Sequence, residues 1–373
     1  MNERYQRHSL IDWFNQTKLR EAKIVVVGTG ATGNEVLKNL ALLGVGHLQL
    51  YDFDKIEDHN LTRCVLFRER DVGRFKAEVA AEACRDIDPN IEIVHSTHDF
   101  WDDLSLGDIA RADAVMCCVD NFEARLLLNK LCLLTSTDFY EMAIDSRFAS
   151  VMAFPFSTHP DCACYECSLP AGAYSAIQKR YSCGWLRRVS IDEKKIPTTT
   201  ITSSLCGAIA SSLVLNTVNG HPQAIQGAVR YFQDAISLHT TLSALARNDD
   251  CPTCKTLDPT ATRIVAKRQC LLETLVPIVN PHKGEITFSE PVAIRGVCKQ
   301  CGRTQEYFES SRRLTDAITF CSLCKSTSCE IDFVERITLP EFTALFAGRN
   351  VPSKFVTYSQ DNKQVIIEME NEK

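Results

Sequence analysis

The stretch Val25–Asp54, VVVGTGATGNEVLKNLALLGVGHLQLYDFD, decides the fold. Its first part, KIVVVG from Lys23, is a short apolar run ending in glycine, the pattern of a buried parallel strand. GNEVLKNLALLG (33–44) then places apolar residues at helical spacing and closes on glycine. Between the two, Gly28, Gly30 and Gly33 form GxGxxG. Such glycines let the backbone approach a phosphate at the helix N-terminus, where free N–H groups and the helix dipole favour negative charge. Asp52 ends the next strand, HLQLYD, where a carboxylate can hold ribose hydroxyls. This much suits a nicotinamide dehydrogenase equally well.

Outward from that stretch the alternation continues. FKAEVAAEACRDID reads as a second helix, IEIVHS as a third strand, DAVMCCVD as a fourth, and NFEARLLLNKLCLLT as the helix after it. Strand and helix in turn predict an α/β fold, a doubly wound, Rossmann-like and mostly parallel sheet. After about Asp145 the rhythm changes. RFASVMAFPF reads as strand, the cysteine-rich DCACYECSLP comes next, and a polar stretch runs to Pro197. TTTITSSLCGAIASSLVLNTV reads as an apolar helix whose small residues allow close packing on another helix. From about Leu257, strand-like segments surround two CxxC pairs. The expected organisation is an N-terminal helical arm (1–20), a nucleotide-binding domain (21–257) and a mainly β C-terminal domain (258–373) built round a zinc ribbon.

At 373 residues the chain exceeds what one core supports, roughly 250–300 residues. The net charge of −6 and the lack of a basic run argue against a nucleic-acid partner. No apolar stretch is read as reaching the roughly 18 residues that span a bilayer. The polar start MNERYQRHSLIDWF lacks a signal core, and a cytoplasmic, membrane-free protein is expected. Eighteen cysteines would mark a disulfide scaffold in a small secreted chain. Here eight of them form four CxxC pairs, which fits reduced thiols holding metal. Cys298 and Cys301 with Cys321 and Cys324 have zinc-ribbon spacing, with Cys329 as a possible substitute ligand. Cys84, Cys117, Cys118 and Cys132 fall within strands and helices and are expected as buried small hydrophobes.

The residues beyond Asp52 separate a triphosphate from a dinucleotide. YDFDKIEDHNLTR sets Asp54, Asn60 and Arg63 behind the ribose strand, DVGRFKAE supplies Lys76, and CCVDN places Asp120 at the C-terminal end of the fourth strand. A hydride-transfer enzyme has no use for that set. A triphosphate with magnesium does: the cations offset phosphate charge and a carboxylate holds the metal. Asp120 has an alternative role as cap of the helix that begins near Asn121.

RYQRH, GTGATG, DFDKIEDHNLTR, VGRFKAE, CVDN and the CxxC pairs at 164/167 and 251/254 occur in that order over about residues 4–254. Together they resemble the superfamily of ubiquitin-activating enzymes and the bacterial enzymes that adenylate the sulfur carriers of thiamin and molybdopterin synthesis. The resemblance implies that Asp52 binds the ATP ribose, Asn60 and Arg63 contact the phosphates, Lys76 stabilises the α-phosphate, and Asp120 binds Mg²⁺. It implies that Arg7 reaches the triphosphate of a second subunit, hence a homodimer. It also implies that Cys164, Cys167, Cys251 and Cys254 form a structural zinc site, the first of two. Thr32 stands where the family often has leucine, and Cys64 where it usually has glutamine.

In family members that form a thioester, the reactive cysteine lies in a crossover loop before a Pro-Thr-Thr helix start. Cys183, in KRYSCGWLRR within the segment about 168–197, resembles it. Its cationic neighbours favour the thiolate; Cys206 is the alternative nucleophile. The expected activity is ATP-dependent adenylation of the C-terminal glycine of a ubiquitin-like β-grasp protein, then a thioester on Cys183 and transfer to a conjugating enzyme. A sulfur-carrier adenylyltransferase is the alternative within the family. Outside it stand a nicotinamide oxidoreductase, which leaves Arg63, Lys76 and Asp120 unexplained, and a non-catalytic partner subunit, which would tend to lose those charges.

Overall fold

In the computed structural model the described residues are 3–169, 197–221, 226–275, 277–279, 283–314, 316–326, 329–361 and 363–370. β1 (Lys23–Val27) lies inside an eight-stranded sheet because four of its five residues are apolar and buried on both faces. Helix α1 (Gln16–Glu21), capped by the Asn15 side chain, leads into it. α2 (Ala31–Leu43) follows the glycine turn and ends on Gly44 in the left-handed conformation, as its sequence asks. Next come β2 (His47–Tyr51), α3 (Lys76–Ile87) and β3 (Glu92–Ser96). Two short helices, α4 (Phe100–Asp103) and α5 (Leu106–Ala110), lead to β4 (Ala114–Cys117) and α6 (Phe122–Thr135).

β5 (Asp138–Ile144), not foreseen from the sequence, pairs in parallel with β4. β6 (Phe148–Phe154), β7 (Val229–Asp234) and β8 (Thr240–Ala244) then extend the sheet antiparallel. The order β3-β2-β1-β4-β5-β6-β7-β8 is parallel on its first five strands and antiparallel beyond. Strand order reverses between β1 and β4, and ligands bind outside the carboxyl ends of strands at such a point.

α7 (Thr200–Asn219) is the core helix, with Thr199 as its cap and Gly220 closing it. It has 20 uncharged residues and is long and apolar enough to cross a bilayer, so the expectation that no stretch reaches that length is corrected. Half of its most apolar window is buried inside the protein. It packs on α2 at backbone range: a Cβ at Gly207 would lie 2.4 Å from Cβ of Glu35. Glu35 is buried there, accepting from Ser204 Oγ at 2.8 Å and pairing with Lys38 at 2.5 Å.

The chain separates into two compact units. One holds the eight-stranded sheet and runs to Pro259; the other begins at Thr260. α8 (Pro252–Thr256) closes the first. In the second, β9 (Thr262–Ala266), β10 (Glu285–Cys298), β11 (Thr304–Ser310), β13 (Phe355–Gln360) and β14 (Lys363–Met369) form a sheet ordered β11-β10-β13-β14-β9. β12 (Cys329–Thr338) also pairs with β10. Helix α9 (Leu271–Leu275) and the helix Leu339–Phe346, which carries a Thr338/Glu341 capping box, bury Leu275, Phe342 and Phe346 with Ile286, Val356 and Ile367.

Candidate nucleotide site and metal centres

The three glycines do different work. Gly28 has φ +89°, and a Cβ on it would lie 2.7 Å from the Cys118 carbonyl oxygen of β4's outgoing turn. A Cβ on Gly33 would lie 2.1 Å from the Gly28 carbonyl oxygen, so α2 starts hard against β1. A Cβ on Gly30 would meet nothing within 4 Å. Two glycines are therefore demanded by packing. The third opens the N-terminus of α2 to a ligand.

Asp52 leaves β2 facing this turn. Its Oδ2 accepts from Thr29 N at 2.7 Å and Thr29 Oγ1 at 3.0 Å, and its Oδ1 accepts from Asp54 N at 2.9 Å. Burial pushes the Asp52 carboxyl up, against the Lys76 charge and the two amides. Lys76 comes alongside because Asp54–Ile56 pairs with Arg74–Lys76. Ile56 N donates to Arg74 O, Lys76 N donates to Asp54 O (both 2.9 Å), and Lys55 bridges to Phe75. Lys76 Nζ then reaches Asp54 Oδ2 at 2.8 Å. Burial opposes its charge, but Asp52 and Asp54 outweigh burial and hold the ammonium above the ordinary lysine range.

Asn60 is buried at the end of a 3₁₀ turn, its Oδ1 accepting from Glu57 N at 2.9 Å. Arg63 is half-buried and donates from Nη1 to His59 O at 2.6 Å. Cys64 packs into the core, and burial lifts its thiol to about 11. One residue that the sequence pattern does not single out fastens these parts. Asn34 donates to Thr29 O at 2.6 Å and accepts from Leu66 N at 2.8 Å, tying the glycine turn to the segment after Arg63. The capping alternative for Asp120 fails: Asn121 caps α6 by accepting from Ala124 N at 2.8 Å, and Asp120 is exposed beyond β4.

Tyr5 of RYQR is buried. Its hydroxyl donates to Asp88 Oδ2 at 2.5 Å, Arg20 Nη2 meets the same oxygen at 2.9 Å, and Tyr5 also lies against Gly44. The burial that would raise the Asp88 carboxyl is outweighed by donors from Tyr5, Asn90 and Arg20, which bring it down to about 2. The arm is thus anchored at the C-terminal ends of α2 and α3, whereas Gly30 and Lys76 mark their N-termini. Arg7, two residues on, is exposed.

Cys164, Cys167, Cys251 and Cys254 bring their sulfurs within 4.8 Å of one another, as do Cys298, Cys301, Cys321 and Cys324. In the first set the sulfur pairs 164/251, 164/167 and 167/254 lie 3.7, 3.9 and 3.6 Å apart, and in the second 298/324 and 301/321 lie 3.4 and 3.6 Å apart. Four thiolates about 2.3 Å from a tetrahedral zinc have edges of about 3.8 Å, so both sets fit the ion. A buried amide supports the first. Asn129 Oδ1 accepts from Tyr165 N at 2.9 Å, while its Nδ2 has no oxygen acceptor and interacts with the Cys164 sulfur. A zinc thiolate supplies the acceptor that such a buried N–H requires. Glu166 accepts from Thr253 N at 2.9 Å and from its hydroxyl, clasping the two CxxC segments. Cys329 pairs across strands with Cys298 but stands outside the four.

Cys84, Cys117 and Cys132 are fully buried, and Cys118 partly. Cys206 is buried on α7 with its sulfur 3.5 Å from Ser150 O, and burial raises its thiol, which removes it as an accessible nucleophile. Cys183 lies outside the described residues.

A family model described as the ThiF family matches residues 4–253. Over 215 residues the chain is 29% identical to ubiquitin-like modifier-activating enzyme 5 of Bombyx mori, covering 55% of this chain and 52% of that one. Over 182 residues it is 32% identical to adenylyltransferase and sulfurtransferase MOCS3-1 of Zea mays, covering 48% and 38%. The chain thus spans about half the length, or less, of the curated relatives it matches. Among solved structures, MccB of E. coli with ATP aligns at TM-score 0.55 and 24% identity, over 68% of this chain and 75% of that one, a likeness of fold.

Proposed function

The chain belongs to the ThiF family, and from that premise we propose that it adenylates the C-terminal glycine of a small β-grasp protein with MgATP. The observation that carries this is the gathering of Asp52, Asp54 and Lys76 beside the open Gly30 turn, on the edge of the sheet where strand order reverses. ATP enters with its ribose on Asp52 and its phosphates over Gly30. Asp120 would hold Mg²⁺, which would supply neutralisation of the phosphate charge. The glycine carboxylate attacks the α-phosphorus, the bond to the bridging oxygen breaks, and pyrophosphate leaves with that electron pair, giving an acyl-adenylate. Lys76 and Arg63 offset the charge that builds on the phosphates, and catalysis is positioning plus electrostatics.

The second half-reaction puts the acyl group on Cys183: its thiolate displaces AMP, and a conjugating enzyme takes the acyl group onward. Cationic neighbours in KRYSCGWLRR support a reactive thiolate there. The likeness to MOCS3-1 favours a second reading, in which the adenylate serves sulfur transfer and no lasting thioester forms.

A homodimer completes the site. The arm is anchored at the far end of α2 from Gly30, and thirteen residues of helix span about 20 Å. That separation from its own Gly30 turn supports a role for Arg7 at a second subunit's triphosphate.

ATP–pyrophosphate exchange, with glycine-ending β-grasp proteins of the same genome as acceptors, tests the first step. Exchange that needs the terminal glycine is expected; failure of the chain to bind ATP would refute it. Cys183→Ala tests the second step: exchange survives, and the thiol-sensitive adduct with the carrier disappears. An adduct that persists in the variant places the nucleophile elsewhere.

A further inference from the structure

Arg125 in the first turn of α6 is largely buried, its side chain 13% exposed, and its guanidinium is turned toward the sheet. Nε and Nη2 both donate to the Val119 carbonyl oxygen, at 3.3 and 2.9 Å, and Nη2 also reaches Met142 O on β5 at 3.3 Å. Its counter-ion, Glu141 on β5, lies 3.1 Å from Nε with a side chain only 1% exposed. Neither Glu141 carboxylate oxygen has a well-aligned hydrogen bond. Burying such a pair is costly, and a hydrophobic pair of similar size would often be at least as stable. What offsets that cost is read from the acceptors the guanidinium holds. It holds the carbonyl between Cys118 and Asp120, the turn that carries the proposed magnesium ligand.

The same face of α6 continues one turn on. Asn129, at i+4 from Arg125, grips the backbone of Tyr165 and faces the Cys164 sulfur. Tyr165 lies inside the CYEC turn, is buried edge-on against Phe154 at 6.4 Å, and its hydroxyl interacts with the Arg125 guanidinium. One helix face thus grips both turns: the zinc-ligand turn Cys164–Cys167 and the turn Cys118–Asp120.

We infer that these two turns are one coupled unit, in which Arg125 is a positioning residue for Asp120 and Tyr165 ties it to the zinc-ligand turn. This rests on the reading of Asp120 as the ligand of the cation in MgATP. The role of the zinc-ligand turn then extends past holding the fold together. It fixes the carboxylate geometry on which the affinity for the nucleotide's divalent cation depends.

The test is a Mg²⁺ titration of ATP binding by calorimetry on the full chain, in the wild type, Arg125→Lys and Tyr165→Phe, with zinc content measured in each. ATP binding without Mg²⁺ is the internal reference. Tyr165→Phe removes one hydroxyl and no ligand, so it keeps full zinc. It should raise the Mg²⁺ requirement about three- to tenfold, a coupling of ordinary size, with Mg²⁺-free binding unchanged. Arg125→Lys should raise it further, and neither effect should appear in an Asp120→Asn background. Equal weakening with and without Mg²⁺, or a wild-type Mg²⁺ requirement in Tyr165→Phe, overturns the coupling. If Arg125→Lys does not fold, Tyr165→Phe alone decides. A wild type that binds ATP without any dependence on Mg²⁺ overturns the role given to Asp120, a separate result seen before any variant is made.

Discussion

Lys76 Nζ reaches Asp54 Oδ2 at 2.8 Å from the first residue of its helix. A cation is disfavoured at a helix N-terminus, where the dipole is already positive. Local preference is broken here, and the two carboxylates Asp52 and Asp54 compensate. A phosphate arriving between the lysine and the helix end would be attracted by both.

Lys76→Ala should therefore separate activity from stability. Loss of one cation aimed at the reacting phosphate costs typically ~10²–10³ in rate. Pyrophosphate exchange should fall by that order while the thermal midpoint falls only slightly, because the pairing lost with Asp52 and Asp54 is partly offset by relief of the charge at the helix N-terminus. A variant with near-normal exchange would remove Lys76 from the reaction.

Gly28 and Gly30 should fail in different ways. Gly28→Ala forces a side chain into a positive φ and against Cys118 O, costing at least about 1–2 kcal/mol of stability. Gly30→Ala meets open space at φ −73°, so stability should hold within about 0.5 kcal/mol. Its methyl group instead takes the room a phosphate needs. ATP affinity should drop by about tenfold or more, the loss of one hydrogen bond to a charged group. Paired melting and calorimetric measurements check both, and a Gly30→Ala protein with wild-type affinity would place the phosphates elsewhere.

Metal analysis under reducing conditions should find two zinc ions per chain, one for each set of four cysteines. Cys164→Ser should lower the melting transition of the sheet unit and the metal count by one. Cys298→Ser should lower the count by one but leave exchange near normal. A count of one or none in the wild type contradicts the assignment.

The hold of the arm should weaken in acid. Asp88 sits at about 2 when folded, against about 3.9 in an unfolded chain. A carboxylate depressed in this way stabilises fully above its unfolded value and loses that contribution as pH falls toward its folded one. The stability gap between wild type and Asp88→Asn should accordingly be constant above about pH 5 and close as pH drops from about 4 to about 2. A gap that widens on acidification would show that the carboxylate is not what Tyr5 and Arg20 require.

Several parts of this architecture were legible from residue order. The turn at Gly28–Gly33 announced itself because glycine, apolar run and helical period coincide, and the CxxC pairs because thiol spacing has few other uses. β5 was missed for a physical reason: Asp138 and Glu141 interrupt its apolar run, and both are buried. Their compensation lies elsewhere, Asp138 accepting from Ser157 N and Glu141 pairing with Arg125. Asn34, Arg125 and Asn129 were likewise hidden, because each looks like an ordinary polar residue on an amphipathic helix. What distinguishes Asn34 is Leu66, 32 positions away, and what distinguishes Asn129 is Tyr165, 36 away. No local window contains such pairs.

The first set of four cysteines, which fits a zinc ion, joins residues 87 positions apart, Cys164 to Cys251 and Cys167 to Cys254. During synthesis the ribosome emits one half of the chelate, then α7 and the last two strands of the sheet, and only afterwards the other half. α7 can pack on α2, made long before it, but the turn Cys164–Cys167 stays without its partner thiols until Cys251 and Cys254 emerge. Zinc supply in the cell then governs yield as well as stability: in zinc-starved cells the newly made chain should partition to chaperones and the insoluble fraction, while protein made earlier keeps its activity.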